Sequence, residues 1–273
     1  MKANVLKSLT IRTLHSVEEL EEVRRLETIV WSFDDSVPVN QSMAVVKNGG
    51  FILGAFHQDR LIAFQYSFPG FNGEKVYLVS QSLGIHPDYR RLGIGERLKI
   101  EQRKTASNMG YDFITWTYDP LETVNGTLNL HKLGAVVSTY LPNVYGIMDD
   151  NLNSGIPTDR FLVEWDTNEM KRNTETNPTI PYALIPGGDN LFSKPEKLDL
   201  SLNASKIFVP VPGNFQEIKK VDLSLAIDWR EQTGLVFSNY LERGWKVTDL
   251  LKREEYPHHY VYLLEKGDQN NEN

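Results

Sequence analysis

A short string of arginines and glycines is the part of the sequence best suited to chemistry. It runs Arg90-Arg91-Leu92-Gly93-Ile94-Gly95. Glycine lets the backbone come close to a bound group and adopt angles that other residues resist. Where such a string opens a helix, several backbone N–H groups lack a helical acceptor, and the helix dipole adds partial positive charge there. The string therefore predicts a site for a phosphate or pyrophosphate group.

The charge around this string favours an anionic ligand. Residues 90–104 hold six bases and two acids, which is a local charge of +4 in a chain whose net charge is −7. Arg90 and Arg91 would bring permanent positive charge to the entrance of the site. The alternative is a solvated basic helix face that follows an ordinary glycine turn.

Regular elements are predicted on both sides of the string. The pattern predicts a strand over Val76–Ile85, a helix from Ile94 to Asn108 that Gly110 ends, and a strand over Phe113–Tyr118. A connection of this length makes the two strands parallel neighbours. The N-terminus of the helix would then lie beside the end of the first strand.

The segment from Ser82 to Leu98, SLGIHPDYRRLGIGERL, resembles motif A of the GCN5-related N-acetyltransferases, the GNAT superfamily. In that family the loop binds the pyrophosphate of coenzyme A (CoA) through backbone amides. The preceding strand hydrogen-bonds the pantetheine arm and separates from the next strand to admit it. The resemblance implies acetyl-CoA or another acyl-CoA as co-substrate. It assigns cofactor binding to Leu83, Gly84, Ile85, Arg90, Arg91, Leu92, Gly93, Ile94, Gly95, Glu96 and Arg97.

A second segment, Leu130-His131-Lys132-Leu133-Gly134, resembles a later motif of the same family. The family's frequent proton-donating tyrosine would fall at Leu130, which cannot donate a proton. Asn125 and Asn129 lie near the family's asparagine position, and Lys132 completes the predicted cofactor-binding set. The resemblance covers about residues 9–166. A wider pattern resembles an uncharacterised branch with a C-terminal extension, some of whose members are regarded as succinyl-CoA amino-acid N-acyltransferases. The residues that carry this wider pattern are Trp116–Leu121, Asn125, Asn129, Lys132–Gly134, Tyr145-Gly146 and Thr158–Arg160.

Tyr145 and Asp119 are the predicted catalytic residues. Direct attack of an amine on a thioester needs a neutral amine, a donor to the thioester oxygen and a proton for the leaving thiolate, but no cysteine. Tyr145 is predicted to replace the missing tyrosine as the acid, and Asp119 ends the strand beside the predicted cofactor. The alternatives are a packed surface tyrosine and a turn residue ahead of Pro120. Arg160 could hold a carboxylate or pair with a neighbouring acid.

The whole chain predicts an α/β (α+β) fold of the acyl-CoA N-acyltransferase type, with a mixed central sheet and splayed parallel strands. A hairpin of Phe51–His57 and Leu61–Phe68 precedes the site, and a helix over Val124–Leu133 follows it. Three regions are predicted: a GNAT-like catalytic domain over residues 1–166, a linker over 167–205, and a smaller α/β extension over 206–273. The extension includes a helix from Phe215 to Arg243, broken at Gly234.

The bulk composition limits the classes of function. The absence of cysteine removes disulfides, thiolate nucleophiles and cysteine-bound zinc. The negative net charge argues against a surface devoted to nucleic acid or anionic membrane. The sequence contains no apolar stretch near the roughly 20 residues that span a bilayer, and Met1–Arg12 lacks a signal core. We expect a cytoplasmic protein without metal, nucleic-acid or membrane partners, and a homodimer stays open.

The sequence as a whole favours an N-acyltransferase that moves an acetyl or succinyl group from CoA to the amine of a small molecule, with amino acids among the candidates. A non-catalytic acyl-CoA-binding module and a protein-modifying acetyltransferase are the alternatives. A dinucleotide-binding oxidoreductase fits less well, because Arg90 stands in place of the first glycine of Gly-x-Gly-x-x-Gly.

Overall fold

The chain divides into two compact units. The computed structural model describes residues 2–146, 148, 154–169, 179–188 and 190–267. The first unit comprises Met1–Trp116 and Asp166–Glu169, and the second comprises Thr117–Trp165 and Met170–Asn273. The predicted boundary after residue 166 differs from this division, because Thr117–Trp165 groups with the C-terminal part of the chain.

The first unit has a mixed sheet in the order β1-β2-β3-β4-β5. The first four strands are antiparallel, and β4 and β5 are parallel. The last two residues of β5 belong to the second unit. The strands are β1 Thr10–Leu14, β2 Phe51–His57, β3 Arg60–Phe71, β4 Val76–Ile85 and β5 Phe113–Tyr118, and the helices are α1 Lys2–Lys7, α2 Val17–Val30, α3 Val39–Lys47 and α4 Ile94–Asn108.

Helix α2 shows how local sequence sets an element of this unit. Ser16 accepts a hydrogen bond from the Glu19 backbone N–H, and the Glu19 side chain accepts from the Ser16 N–H. This capping box satisfies two amides at the start of the helix. Leu20, Val23 and Leu26 then follow at helical spacing and are buried in a core cluster with residues of β3. The predicted start of the helix is confirmed.

The second unit has an antiparallel sheet in the order β7-β6-β11-β12-β10, and β8 and β9 form a separate two-stranded sheet. The strands are β6 Val136–Leu141, β7 Arg160–Asp166, β8 Leu184–Pro186, β9 Pro195–Leu198, β10 Lys206–Pro212, β11 Trp245–Leu251 and β12 His259–Lys266. The helices are α5 Thr123–Gly126, which continues as a π-helical segment over Thr127–Lys132, α6 Phe215–Val221 and α7 Leu223–Glu242.

The mixed α/β class predicted from the sequence is confirmed, including the ranges of β4, α4 and β5. The C-terminal helical run differs from its prediction. It breaks at Asp222 and not at Gly234, because Asp222 caps α7 by accepting from the Leu225 N–H. Part of the predicted linker forms β8 and β9, and the sequence patterns did not predict α1 or β11. In the part of the chain described here, no helix has the length and apolar character to cross a membrane.

Candidate functional site

The arginine–glycine string lies between β4 and α4, as predicted. Gly93 is the N-cap of α4 and has a φ of 85°, and no side chain caps the first-turn N–H groups. A Cβ atom built on Gly93 would meet no atom within 4 Å, so the approach to these amides is open. Arg91 also has a positive φ, of 62°. Backbone of this kind turns successive N–H groups toward one point and suits an anion.

Two arginine side chains of this segment are held by hydrogen bonds to backbone carbonyl oxygens. Arg90 donates from Nε to the Ile85 carbonyl oxygen at 3.3 Å, and Arg97 donates from Nη1 to the Leu6 carbonyl oxygen at 2.8 Å. Arg91 is exposed, while Ile94 and Gly95 are buried in the first turn of α4. Leu92 and Glu96 are half-buried. Arg91 is therefore the arginine best placed to meet a ligand from solvent.

Strand β4 separates from β5 partway along its length. The described ladder pairs Leu78 with Ile114 and Val79 with Thr115 and continues no further, although β4 runs on to Ile85. The pairing of β4 with β3 also shifts register between Ser80 and Ser82, which is a β-bulge. The second half of β4 thus has an edge without a β5 partner, as the resemblance implied.

The three predicted cofactor residues of β4 point in two directions. Leu83 and Ile85 pair with Gln65 and Ala63 of β3 and are half-buried. Gly84 is buried, and a Cβ atom there would lie 2.3 Å from the Phe64 ring. Gly84 is therefore required for close packing on Phe64, a reason independent of any cofactor.

A buried polar cluster beneath α4 was not predicted. Lys99 donates from Nζ to Ser80 Oγ at 3.0 Å, and Gln65 donates from Nε2 to the same oxygen at 3.2 Å. Ser67 donates to Gln65 Oε1 at 2.8 Å and accepts from Gln102 Nε2 at 2.9 Å. The signal in the sequence is the spacing, since Lys99 and Gln102 share a helix face with the buried Ala106.

Lys99 is the most unusual member of this cluster. It is only 3% exposed, and its Nζ lies 3.3 Å from the centroid of the Trp116 ring. Burial lowers the pKa of Lys99 well below its usual range, because a charged amine is poorly solvated there.

Asp119, a predicted catalytic residue, lies in the second unit and is 7% exposed. It accepts hydrogen bonds from Arg230 Nη1 at 2.9 Å and Nη2 at 2.5 Å, and from the Leu121 N–H at 2.8 Å. Arg160 lies 3.8 Å away, so this arginine pairs with Asp119. The geometry gives Asp119 a structural partner in Arg230, which the sequence did not reveal because the two are 111 positions apart.

Tyr145, the other predicted catalytic residue, is 55% exposed. Its hydroxyl lies 3.0 Å from Thr117 Oγ1, and the Arg160 guanidinium lies over its ring at 5.4 Å. The Tyr145 side chain is therefore at the surface and is not packed in the core. Asn125 and Lys132 are exposed, whereas Asn129 is buried in the π-helical segment.

The second unit also contains a cavity of about 720 Å³ beside α7. Apolar side chains of Leu200 and Leu235 and the acids Glu231 and Glu242 line it. The buried residues Asp159 and Arg230 also line it. Among the residues described, no group of three or more histidine or acidic side chains is placed to hold a metal ion.

Solved structures with a similar fold include several acetyltransferases. The ribosomal-protein-S18-alanine N-acetyltransferase of Escherichia coli is 15% identical, with 62% of this chain and 99% of that one covered and a TM-score of 0.48. A Salmonella typhimurium protein solved with its cofactor acetyl-CoA is 16% identical, with 60% and 97% covered and a TM-score of 0.49. A GNAT-family acetyltransferase of Streptococcus pneumoniae is 15% identical, with 57% and 97% covered and a TM-score of 0.46.

No protein-family model and no curated protein matches the sequence. These solved structures are matched over nearly their whole length, at 15–16% identity.

Proposed function

We propose that this chain is an acyl-CoA-dependent N-acyltransferase of the GNAT superfamily. The observation that carries the proposal is the uncapped N-terminus of α4, opened by Gly93, beside the half of β4 that has no β5 partner. Backbone amides at a helix start bind phosphate oxygens. A strand edge binds amides, and the pantetheine arm of CoA carries two of them. The site thus suits both chemical parts of the cofactor.

The predicted cofactor residues fit this arrangement as a proposal. Gly93, Ile94 and Gly95 would offer amides to the pyrophosphate, and Arg91 would add charge from solvent. Leu83 and Ile85 would offer backbone groups of β4 to the pantetheine arm. Asn125, Asn129 and Lys132 stay predictions that rest on the family resemblance.

The proposed acceptor is a small-molecule amine, with amino acids among the candidates, and the proposed donor is acetyl- or succinyl-CoA. The cavity of the second unit supports a small organic cation. Its lining carries the acids Asp159, Glu231 and Glu242, whereas the charge of its one base, Arg230, is matched by Asp119. Apolar walls beside these acids suit an amine with an apolar body.

A change at Gly93 tests the cofactor site. Gly93→Asp would place a carboxylate against the phosphates, and two like charges about 4 Å apart repel by about 4 kcal/mol at an effective dielectric constant near 20. We expect CoA affinity to fall at least about a hundredfold in calorimetry.

Gly110→Asp is the matched control for this change. Gly110 follows the other end of α4, has a φ of 87° and open space around its Cβ position. It therefore introduces the same charge and a similar backbone strain away from the proposed site. A wild-type protein that binds no CoA ester, or equal losses in both variants, would contradict the proposal.

A non-catalytic acyl-CoA-binding module is the second candidate, because Leu130 is buried where the family has its tyrosine. Release of free thiol from acetyl- and succinyl-CoA, measured against a panel of amines and amino acids, separates the two. Turnover is expected, and Tyr145→Phe should lower it if the Tyr145 hydroxyl supplies the proton. Tight CoA binding without turnover on any member of the panel would favour the module.

A further inference from the structure

Lys99 stands at the point where β4 and β5 separate. Val79 and Thr115 form the last pair of the described ladder, so Ser80 and Trp116 are the first residues beyond it. The Nζ atom of Lys99 is hydrogen-bonded to Ser80 Oγ at 3.0 Å and lies 3.3 Å from the centroid of the Trp116 ring. A single side chain of α4 thus contacts both strands at the apex of the gap.

The gap between β4 and β5 begins at Ser80, at a distance from the start of α4 that a pantetheine arm can span. From Ile85 back to Ser80 the strand covers five residue steps, which is about 17 Å at about 3.3 Å per residue. A pantetheine arm that runs along this edge from the start of α4 would bring its sulfur to the region of Ser80. The inference rests on the proposed function in this respect, since it takes the ligand to be an acyl-CoA.

Burial of Lys99 disfavours its charged form and acts against the attraction of the Trp116 ring face for a cation. The hydrogen-bonded cluster that includes Lys99 contains the amides Gln65 and Gln102 and the hydroxyls Ser67 and Ser80. The Trp116 ring of β5 lies against its Nζ atom. Glu96 and Arg103, one turn before and one turn after it, are the nearest charged residues of α4 in helical spacing. Burial lowers the pKa of Lys99, so its amine can take up a proton.

We propose that Lys99 and Ser80 form a proton relay for acyl transfer. The acceptor nitrogen attacks the thioester carbonyl carbon, and the bond between this carbon and sulfur breaks. The proton lost by the nitrogen passes through the Ser80 hydroxyl to Lys99 Nζ, and it returns through the same hydroxyl to the thiolate of CoA. Lys99 ends uncharged, and the products are the N-acyl amide and free CoA.

The relay takes the place of the Tyr145 hydroxyl as the source of the proton for the thiolate, so Tyr145→Phe should keep its turnover if the relay operates. Leu130 has no proton to give, and Asp119 is held by Arg230. A lysine with a depressed pKa is a recognised general base. Lys99 acts through Ser80 and positions the proton, so its test needs a readout that a packing role would leave unchanged.

Substitutions at Lys99 separate proton transfer from charge and from packing. Lys99→Met keeps the length and apolar stem of the side chain, whereas Lys99→Arg keeps a positive charge that cannot be removed at these pH values. Ser80→Ala removes the hydroxyl, and Ser80→Thr restores one. Lys104→Met, on an exposed position of the same helix, is the control.

The expected result is a loss of kcat without a loss of CoA affinity. Lys99→Met, Lys99→Arg and Ser80→Ala should each lower kcat by about 100-fold or more, while Ser80→Thr and Lys104→Met keep most of it. Wild-type kcat should rise with pH through the lowered pKa of Lys99, because the relay needs the uncharged amine. Lys99→Met should lack this rise with the same acceptor. Full activity of Lys99→Arg, or an unchanged pH profile in Lys99→Met, would overturn the relay.

A second measurement needs neither an acceptor nor a folded variant with activity. The ¹³Cε resonances of the lysines, titrated by NMR in the wild type and assigned with Lys99→Met, should show one lysine that loses its proton far below the others. A Lys99 that stays charged across neutral and mildly alkaline pH contradicts the inference even if CoA binds. If no CoA ester binds but Lys99 titrates low, the proposed function fails and the neutral lysine stands.

Discussion

The carboxylate of Asp119 balances the positive charge of the buried Arg230 guanidinium. This carboxylate receives both terminal nitrogens of Arg230, which is 1% exposed. Asp119→Asn would leave that guanidinium buried without its hydrogen-bonded counter-charge, so we expect a loss of about 3 kcal/mol in the free energy of unfolding. Chemical denaturation measures it, and an Asp119→Leu/Arg230→Met double variant should recover much of the stability because neither charge remains.

The same variant decides between the two roles of Asp119. A catalytic carboxylate would lose kcat in Asp119→Asn with stability intact. A structural carboxylate would lose stability first, which is what the geometry favours. Wild-type stability together with a large drop in kcat would restore the catalytic prediction.

At the scale of single residues, the sequence predicts those site residues whose identifying pattern lies within one short stretch of the chain. The string at Arg90–Gly95 is recognisable because the residue types and the helix start are adjacent in the chain. Lys99 and Arg230 were not recognised as site-forming residues, because their partners Ser80 and Asp119 come from distant positions. A lysine on the buried face of a predicted helix is a signal that could have been followed.

Helix α7 depends on the absence of a side chain at Gly234. An alanine there would gain about 0.5–1 kcal/mol in helix propensity. Its Cβ, however, would lie 2.8 Å from the Tyr140 hydroxyl, which donates to buried Asp159 at 2.5 Å. Displacing this hydroxyl costs about 1–3 kcal/mol, so Gly234→Ala should lower stability despite the better helix former.

A double-mutant cycle checks this reason. In a Tyr140→Phe background the obstructing oxygen is gone, and Gly234→Ala should then be neutral or stabilising in thermal melts. Equal effects of Gly234→Ala in both backgrounds would show that Tyr140 is not the obstacle.

Helices and strands were predictable where the hydrophobic periodicity agrees with the residues that begin or end an element. β4, α4 and β5 have clear periodicity, and Gly110 ends α4 with a positive φ. The sequence predicts the break in the C-terminal helix at Gly234, but the break lies at Asp222, which caps the start of α7. β11 was missed because Lys246 and Asp249 interrupt its apolar run, and a register shift between Val247 and Asp249 disturbs the alternation.

At the scale of the whole molecule, the division into two units predicts that residues 1–166 do not form an independent domain. Tyr262 of β12 donates to the Pro120 carbonyl oxygen at 2.7 Å, and Phe161 of β7 packs on Phe237 of α7. A fragment ending at residue 166 lacks these partners and leaves Asp119 buried without Arg230. We expect residues 117–165 of the fragment to be unfolded, so their amide protons should exchange rapidly in the fragment and slowly in the full chain. Slow exchange of these amides in the fragment would support the boundary predicted from the sequence.

The positive φ of Arg91 sets two selective pressures against each other. An arginine in the left-handed region carries a strain on the order of 1–3 kcal/mol, which a glycine at that position would relieve. The exchange would also remove the exposed charge at the start of α4. Laboratory evolution toward heat resistance alone should therefore favour Arg91→Gly and erode cofactor affinity, while evolution under limiting CoA should keep the arginine and its strain.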